Sequence, residues 1–362
     1  MIGSKTTLNT RRIAFLLSSL KFGGGERVAL NLAAALKEEG YLIDFLLLCY
    51  EGEFLAEAQT HFNVIDLRCD RTWKLPFKLW KYLVLIHPTA LISSFWKLNL
   101  CACLARAFNP SVRLVAWEHS PPTRSCPAWL YAMTASVLYR LATRVVAVSS
   151  GVAADVCMNT LGLKSRILTI FNPIPAPLAN DASPSCSNDR RIIWVGRLDA
   201  PKNPMLMLEA FALLPKNDGY TLDFVGDGRL RASLKDRARA LDCESNIRFL
   251  GFRHDIYACM RDADLLVLSS DREGLPTVLV EAMHAGLRIV STDCGSGIHD
   301  ILEENRLGTI VPTNDKCALA TAIVGRMQTP HDEQVQIAGA QRFAPNLIAG
   351  QFLHAMELGG RP

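Results

Sequence analysis

Short apolar runs recur along the whole chain, and segments long enough to form helices separate them. Apolar runs of this kind predict strands at 13–18, 43–49, 90–95, 114–117, 145–149, 192–195, 222–225, 247–250, 265–269, 289–292 and 309–311. A strand that is apolar throughout is buried on both faces, and such strands alternating with helices are typical of parallel sheets covered by helices. The pattern therefore predicts an α/β fold with doubly wound parallel sheets. The first helix is marked by Val28, Leu32 and Leu36 on one face and by Gly40 as a cap.

At 362 residues the chain exceeds what one core usually supports, so we expect two Rossmann-like domains. Their boundary is predicted in a stretch rich in proline and small polar residues, where neither helix nor strand would persist. We assign 1–173 to an N-terminal domain, 174–189 to a linker and 190–342 to a C-terminal domain. If the two domains face one another, the carboxyl ends of both sheets surround a central cleft, where such folds bind ligands.

The net charge of +4 is too small for a dedicated nucleic-acid binder, but it is compatible with an anionic membrane surface or with phosphorylated substrates. Eleven cysteines occur without a C-x-x-C pair or zinc spacing, which favours reduced thiols in a cytosolic protein over a metal centre. The apolar run at 13–17 is too short for a signal peptide. The uncharged stretch 82–96 falls short of the ~20 residues that span a bilayer, so no transmembrane helix is expected.

Three motifs follow predicted strands. The first is the glycine cluster of Gly24 and Gly25, which opens the first helix and would let its backbone amides approach a phosphate. A plain tight turn explains these glycines equally well. The dinucleotide fingerprint needs a third glycine where Val28 stands, which disfavours a nicotinamide dehydrogenase.

The second motif begins at Gly196, after the first strand of the C-terminal domain. The planar guanidinium group of Arg197 can form two hydrogen bonds to diphosphate oxygens, and Lys202 adds a compact positive charge. Together they would neutralise a departing nucleoside diphosphate. The alternative is a pair of ordinary solvated surface cations.

The third motif runs from Glu273 to Glu281. Its loop and helix start offer backbone amides to a sugar or a phosphate, and the residues that provide them are Gly274, Leu275, Pro276, Thr277 and Val278. Glu281 would lie about two turns beyond Glu273, where a carboxylate can accept both hydroxyls of a ribose. Two glutamates on a solvated helix face are the alternative interpretation.

These residues resemble the E-x7-E motif of the retaining GT-B glycosyltransferases of family four, and the resemblance covers nearly the whole chain in the family's order. The remaining matching segments are 24–27, 196–203, 225–228 and 291–297, and 343–362 is similar to the family's last helix, which crosses back to the N-terminal domain. Two departures are Gly297-Ile298-His299-Asp300, where relatives often have Gly-Pro-x-Glu, and Arg288, where proline is usual.

The resemblance implies a role for each matching residue. Glu281 would hold the donor ribose, and Arg197 and Lys202 the diphosphate. Glu273 and nearby amides would hold the donor sugar, and His119 matches the family's active-site histidine. The implied catalytic set is thus His119, Glu273, Arg197 and Lys202, although a lone histidine is more often structural.

The implied reaction is a retaining transfer of a hexose or N-acetylhexosamine from a UDP-sugar, without a metal, to a glycan or a polyprenyl-diphosphate-linked acceptor in cell-surface polysaccharide synthesis. The Asp262-Ala263-Asp264 triplet imitates a metal motif, but it precedes a buried strand, which favours a structural role. Alternatives are a GDP-mannose-using mannosyltransferase, a UDP-N-acetylglucosamine 2-epimerase-like isomerase, and an inactive glycan-binding protein.

Basic and aromatic residues alternate over 71–82. Such a stretch suits either a helix lying on an anionic membrane or a half-buried surface helix. We expect a cytoplasmic enzyme, which under the membrane interpretation of this stretch is peripheral at the inner face of a bacterial inner membrane.

Overall fold

The computed structural model describes residues 11–21, 23–69, 71–120, 127–177, 190–253 and 255–358. They form two compact units. Unit 1 comprises the described residues of Met1–Pro173 and Pro345–Pro362, and unit 2 those of Ile174–Ala344. Most of the predicted linker, 178–189, lies outside the described residues.

Unit 1 is built around a seven-stranded parallel sheet. Its strands are β1 (Arg12–Leu17), β2 (Leu42–Leu47), β3 (Asn63–Asp66), β4 (Ala90–Ser94), β5 (Arg113–Glu118), β6 (Arg144–Ala147) and β7 (Ile167–Thr169). Their order across the sheet is β3-β2-β1-β4-β5-β6-β7. The helices are α1 (Gly24–Glu38), α2 (Leu55–His61), α3 (Leu75–Ile86), α4 (Trp96–Ala107), α5 (Ala128–Leu138), α6 (Ser150–Met158) and, at the end of the chain, α14 (Pro345–Ala355).

Unit 2 repeats this architecture with six parallel strands. They are β8 (Arg190–Val195), β9 (Tyr220–Val225), β10 (Ile247–Gly251), β11 (Leu265–Leu268), β12 (Arg288–Thr292) and β13 (Thr309–Val311). Their order is β10-β9-β8-β11-β12-β13. The helices are α7 (Pro204–Phe211), α8 (Arg231–Ala240), α9 (Ile256–Arg261), α10 (Thr277–His284), α11 (Ser296–Leu302), α12 (Lys316–Gln328) and α13 (Glu333–Ala340).

The predicted fold class is confirmed, and each predicted strand is present within a residue or two. Two edge strands, β3 and β7, escaped the prediction because they are short and only partly buried, so their sequences carry no continuous apolar run. The face of α1 also matches expectation, since Val28, Leu32 and Leu36 are buried. Gly40 follows that helix with φ +86°, a conformation that favours glycine.

Each sheet has one point where the strand order reverses. In unit 1 β1 pairs with β4, and in unit 2 β8 pairs with β11. The segments that leave two such neighbouring strands diverge to opposite faces of the sheet, and the crevice between them is where open α/β sheets bind ligands. The fold therefore singles out the loops after β1 and β4 and those after β8 and β11.

The last helix belongs to unit 1. It packs against α1, and the Phe352 ring meets the Trp117 ring edge-on with centroids 4.9 Å apart. Among the described residues, no helix is long and apolar enough to cross a membrane.

Candidate functional site

In unit 2 two predicted site residues meet at the point of strand reversal. Lys202 ends the turn after β8, and Glu273 lies in the loop after β11. Lys202 Nζ is 2.5 Å from Glu273 Oε1, and the Ser270 hydroxyl donates to the same oxygen at 2.7 Å. The two charged side chains are 27% and 15% exposed, so their pairing is partly shielded from water. A cation and a carboxylate thus stand at the edge where the fold predicts a ligand.

Hydrogen bonds fix the two loops to each other. Asn203, in the left-handed conformation with φ 45°, donates from Nδ2 to Asp271 Oδ1 at 2.8 Å. The buried Ser269 hydroxyl donates to the Asn203 carbonyl at 2.8 Å and accepts from Trp194 Nε1 at 2.9 Å. Because these bonds hold the backbone on both sides of the crevice, the position of Lys202 is set by the protein before any ligand arrives.

Arg197 is placed differently. Its side chain is 72% exposed, and its nearest carboxylate, Asp199, lies 3.7 Å away. Gly196, just before it, continues the sheet, since its N–H donates to the Val225 carbonyl at 3.0 Å. Arg197 therefore extends from a fixed backbone into solvent, where a long guanidinium can reach an anionic ligand.

The Glu273 loop is packed backbone to backbone on the start of α11. Glu273 N donates to the Cys294 carbonyl at 2.7 Å. A Cβ on Gly295, whose φ is +144°, would lie 2.5 Å from the Glu273 carbonyl oxygen, and a Cβ on Gly297 would lie 2.1 Å from the Gly274 oxygen. Gly295 and Gly297 were not selected as site residues from the sequence. The signal was available as two glycines directly before a helix.

We expect Gly297→Ala to displace the Glu273 loop, because the added methyl group cannot share space with the Gly274 carbonyl. The transfer activity that the resemblance implies should fall at least about tenfold while the far-ultraviolet circular dichroism spectrum stays native. The matched control is Gly325→Ala in α12, where nothing lies within 4 Å of the new Cβ. That variant should keep full activity and gain up to about 1 kcal/mol of stability. Full activity in the Gly297 variant would contradict the packing argument.

The predicted amide donors lie at the start of α10. Pro276 precedes the helix in an extended conformation, and Thr277 and Val278 form its first turn, whose N–H groups find no acceptor within the helix. The half-buried Glu281 follows one turn later. The charge of Glu281 raises the pKa of Tyr257 beyond what burial alone does, so this α9 residue, unnoticed in the sequence, lies near Glu281.

Unit 1 gathers a second group at its own point of strand reversal. A Cβ on Gly25, in the first turn of α1, would lie 2.9 Å from Phe95 Cζ. Phe95 follows β4 with φ 72°, and its ring centroid is 5.0 Å from that of His119, which follows β5. Gly24 is exposed, with nothing within 4 Å of a built Cβ. Gly25 and His119, chosen separately from the sequence, are thus joined through Phe95.

His119 is a neutral side chain at neutral pH. The Trp117 ring lies against the His119 ring with centroids 4.5 Å apart. His119 Nε2 is enclosed and has no hydrogen-bond partner among the described residues. Burial lowers the pKa of His119 to about 3. An enclosed imidazole nitrogen without a partner is an unsatisfied hydrogen-bonding group, and such groups in native structures favour a role in a site.

Other highlighted residues have partners within the fold. Arg27 makes a bidentate ion pair with Glu57, in which its two terminal nitrogens donate to the two carboxylate oxygens at 2.6 and 2.9 Å. Asp264 accepts from Arg191 N at 2.9 Å, which is a structural task. Within the described ranges no cluster of three or more potential metal ligands is present.

One departure from the family pattern also has a clear structural role. His299 bridges Asp293 and Glu304, with both ring nitrogens 3.0 Å from a carboxylate oxygen. The hydrogen bond to Glu304 is the main reason that the pKa of His299 is raised. His299, which lies on α11, therefore links the loop before this helix to the segment after it.

Comparison with known proteins covers most of the chain. Residues 22–176 match the family model described as Glycosyltransferase Family 4, and residues 179–341 match that described as Glycosyl transferases group 1. A relative from Campylobacter jejuni, the GalNAc-alpha-(1->4)-GalNAc-alpha-(1->3)-diNAcBac-PP-undecaprenol alpha-1,4-N-acetyl-D-galactosaminyltransferase, is 29% identical over 85% of this chain and 87% of its own length. A second relative from the same bacterium, a 4-alpha-N-acetylgalactosaminyltransferase, is 28% identical over 84% of this chain and 87% of its length.

Solved structures share the fold. Anabaena HepE in complex with UDP superposes with a TM-score of 0.83 at 21% identity, covering 96% of this chain and 99% of HepE. The lipopolysaccharide outer core galactosyltransferase WaaB gives a TM-score of 0.77 at 19% identity, with 96% and 99% covered. With two parallel-sheet units and both family models matched in order, the chain is a glycosyltransferase with the GT-B fold and belongs to the family-four type.

Proposed function

We propose that this enzyme transfers a hexose or N-acetylhexosamine from a UDP-sugar to a polyprenyl-diphosphate-linked saccharide during the synthesis of a bacterial cell-surface glycan. The observation that carries the donor half is the Lys202–Glu273 pair at the strand reversal of unit 2. A fixed cation beside a carboxylate and a helix start provides one group for a diphosphate and others for sugar hydroxyls. The UDP-bound HepE structure and the undecaprenol-linked acceptors named for the Campylobacter relatives support the choice of substrates.

In the proposed reaction, the bond between the anomeric carbon and the UDP oxygen breaks as the acceptor hydroxyl attacks from the same face. The acceptor proton passes to the leaving phosphate oxygen, so the products are UDP and a glycoside of retained configuration. Lys202 and Arg197 would stabilise the charge that develops on the diphosphate, and Glu281 would hold the ribose. These roles need no metal, because protein cations and helix amides supply the electrostatic stabilisation.

A donor panel tests the substrate class. We expect UDP and one UDP-sugar to raise the melting temperature strongly, and GDP, ADP and their sugars to have little effect, because only a tightly bound ligand stabilises the native state. Transfer of radiolabelled sugar into a lipid extract should then require the same UDP-sugar. Stabilisation by GDP-mannose would favour a mannosyltransferase. Turnover of UDP-N-acetylglucosamine without any acceptor would favour an epimerase, and an inverted anomeric centre in the product NMR spectrum would refute the retaining reaction.

We also propose that α3, α4 and α5 form a membrane-docking face. These neighbouring helices of unit 1 carry large apolar side chains that are 40% to 77% exposed, namely Trp73 just before α3, Phe77, Leu85, Ile86, Leu104, Phe108 just after α4, Trp129, Met133 and Val137. Glu118 is the sole acidic residue between Asp70 and Asp155, and it is buried. Exposed aromatic residues on helices whose own stretch of sequence has no exposed acidic residue suit an anionic bilayer, where the proposed lipid-linked acceptor resides.

Charge reversal at this face should release the enzyme from lipid. Lys78 is a poor choice, since its ammonium group donates to the Leu67 carbonyl at 2.7 Å and so links α3 to the segment after β3. Lys81 and Lys97 are exposed. We expect the Lys81→Glu, Lys97→Glu variant to bind vesicles containing phosphatidylglycerol at least about thirtyfold more weakly, because each lysine lost near an anionic surface costs about 1 kcal/mol and the two new carboxylates add repulsion. Lys164→Glu with Lys216→Glu makes the same charge change at exposed sites on other surfaces, and it should bind normally. Equal binding by both variants would refute the docking face.

A further inference from the structure

A buried group of polar side chains surrounds Glu118, the residue directly before His119 in the chain. Glu118, the last residue of β5, is 2% exposed, and Asn99 of α4 and Tyr139, just after α5, are fully buried. The Tyr139 hydroxyl donates to Glu118 Oε1, and Asn99 Nδ2 donates to the same oxygen at 3.2 Å. We call Glu118, Asn99 and Tyr139 the Glu118 cluster.

The cluster reaches both aromatic neighbours of His119 through the backbone. Asn99 Nδ2 also lies 3.3 Å from the Trp117 carbonyl oxygen, which accepts in addition from Phe95 N at 3.1 Å. The rings of Phe95 and Trp117 are the ones that lie against the His119 ring, at 5.0 and 4.5 Å. A change in the cluster therefore acts on the peptide groups of Phe95, Trp117 and His119, which carry these three rings.

Fold stability alone does not account for this arrangement. A buried carboxyl group loses its hydration, and a well-packed apolar side chain at the same place is usually as stable or more so. Asn99 Oδ1 is enclosed without a partner among the described residues, which adds a further cost. A cost of this kind beside a site residue indicates a role in the site.

We infer that Glu118 is a positioning residue for the transfer reaction: held by Asn99 and Tyr139, it sets the orientation of the His119 ring. The inference rests on the proposed function, because His119 matters only if it contacts the donor. Glu118 itself is enclosed and reaches the substrate only through its neighbour.

The protonation state of Glu118 gives the cluster a measurable signature. Its ionisable neighbours are Tyr139 and Tyr131 on the α5 side and Cys103 of α4, and the charge of Glu118 raises the pKa of each of them beyond the effect of burial. Asp155 of α6 also raises the pKa of Tyr131. No cation contacts Glu118 within the described part of the chain. Burial raises the pKa of Glu118 to about 7, against the opposing effect of the hydrogen bonds from Tyr139 and Asn99. The carboxyl group thus changes charge in the pH range where the enzyme would work.

Glu118→Gln tests the inference, because glutamine keeps the shape and the acceptor oxygen but cannot ionise. In the wild type we expect kcat to change about fivefold between pH 6 and pH 8, with a midpoint near 7, while KM for the donor stays constant. In the Gln variant the change should disappear. A merely structural glutamate would leave the wild-type and Gln profiles superimposable, and that outcome overturns the inference.

Stability measurements provide a second readout. The folded-state pKa of Glu118 is raised, so the wild type is most stable below the unfolded-state pKa of about 4.5 and loses stability as pH rises through about 7. The melting temperature of Glu118→Gln should match the wild type at pH 5 and exceed it at pH 8. Tyr139→Phe removes one donor without adding volume and should lower kcat at least threefold with unchanged KM. Normal kcat in that variant counts against the inference.

A spectroscopic test separates this inference from the donor assignment. With ¹⁵N-labelled histidine, the His119 ring signals should shift around pH 7 in the wild type and stay constant in Glu118→Gln, whatever the donor is. If no UDP-sugar is turned over but these shifts occur, the proposed function fails and the positioning of His119 stands. If transfer occurs and the shifts are absent, the reverse holds.

Discussion

Lys202→Ala should lower kcat by about 10²- to 10³-fold, the usual cost of removing one preorganised group that stabilises charge in a transition state. Lys202 is fixed by the turn after β8 and stands 2.5 Å from Glu273, so it meets the developing diphosphate charge without reorganising. Its loss has a second consequence, because the Glu273 carboxylate is then left uncompensated beside a diphosphate. Steady-state kinetics with a UDP-sugar and acceptor measure the effect.

The ion pair makes this prediction sharper. Adding Glu273→Gln to Lys202→Ala removes the uncompensated carboxylate, so the double variant should bind UDP more tightly than Lys202→Ala alone. A matched control is Lys216→Ala, which breaks the exposed Lys216–Asp242 pair of the same unit and should change neither kcat nor affinity. If Lys202→Ala keeps more than half of the wild-type kcat, or if the two replacements are simply additive, the assigned role is wrong.

Glu281→Ala should weaken UDP binding about 10- to 100-fold, since a hydrogen bond to a charged group contributes about 1.5–3 kcal/mol and each 1.4 kcal/mol is tenfold in affinity. Glu281 lies on α10, near Tyr257 and one turn beyond the helix start proposed for the donor. Because ribose contacts are made equally in the ground state and the transition state, kcat at saturating donor should fall much less. Isothermal titration calorimetry with UDP and with a UDP-sugar measures the effect.

Glu281→Gln should give an intermediate affinity, because the amide accepts one hydrogen bond but lacks the charge. Glu244→Ala, a replacement of an exposed glutamate in the same unit that pairs with Arg239, should bind UDP normally. Unchanged UDP affinity in Glu281→Ala, or a loss confined to kcat, would separate the ribose from this carboxylate.

The class of fold was readable from the sequence because doubly buried strands must be apolar along their whole length. Runs such as 265–268 carry that signal without reference to any distant residue. The same holds for the first helix, whose buried face repeats at helical spacing. Edge strands such as β3 are bordered by solvent on one side, so their sequences are mixed and the pattern fails there.

The motifs after the strands were also local, because glycine-rich loops and charged residues at strand ends are visible in a linear sequence. Lys202, Glu273 and Glu281 could be named for that reason, and His119 could be named through the family resemblance. Their partners could not. Phe95, Gly297, Tyr257, Asn99 and Tyr139 become neighbours of these residues, or of Glu118, only through the packing of segments that are apart in the chain.

By itself the sequence determined the two-sheet α/β architecture, the order of its motifs and the family-four resemblance. Tertiary structure alone decided that Lys202 would be paired with Glu273, that Gly297 would pack against the Gly274 carbonyl, and that the glutamate before His119 would be buried with a raised pKa. The physical reason is range. Apolar periodicity and backbone propensity act over a few residues, whereas ion pairing, close packing and desolvation depend on groups that only the folded sheet brings together.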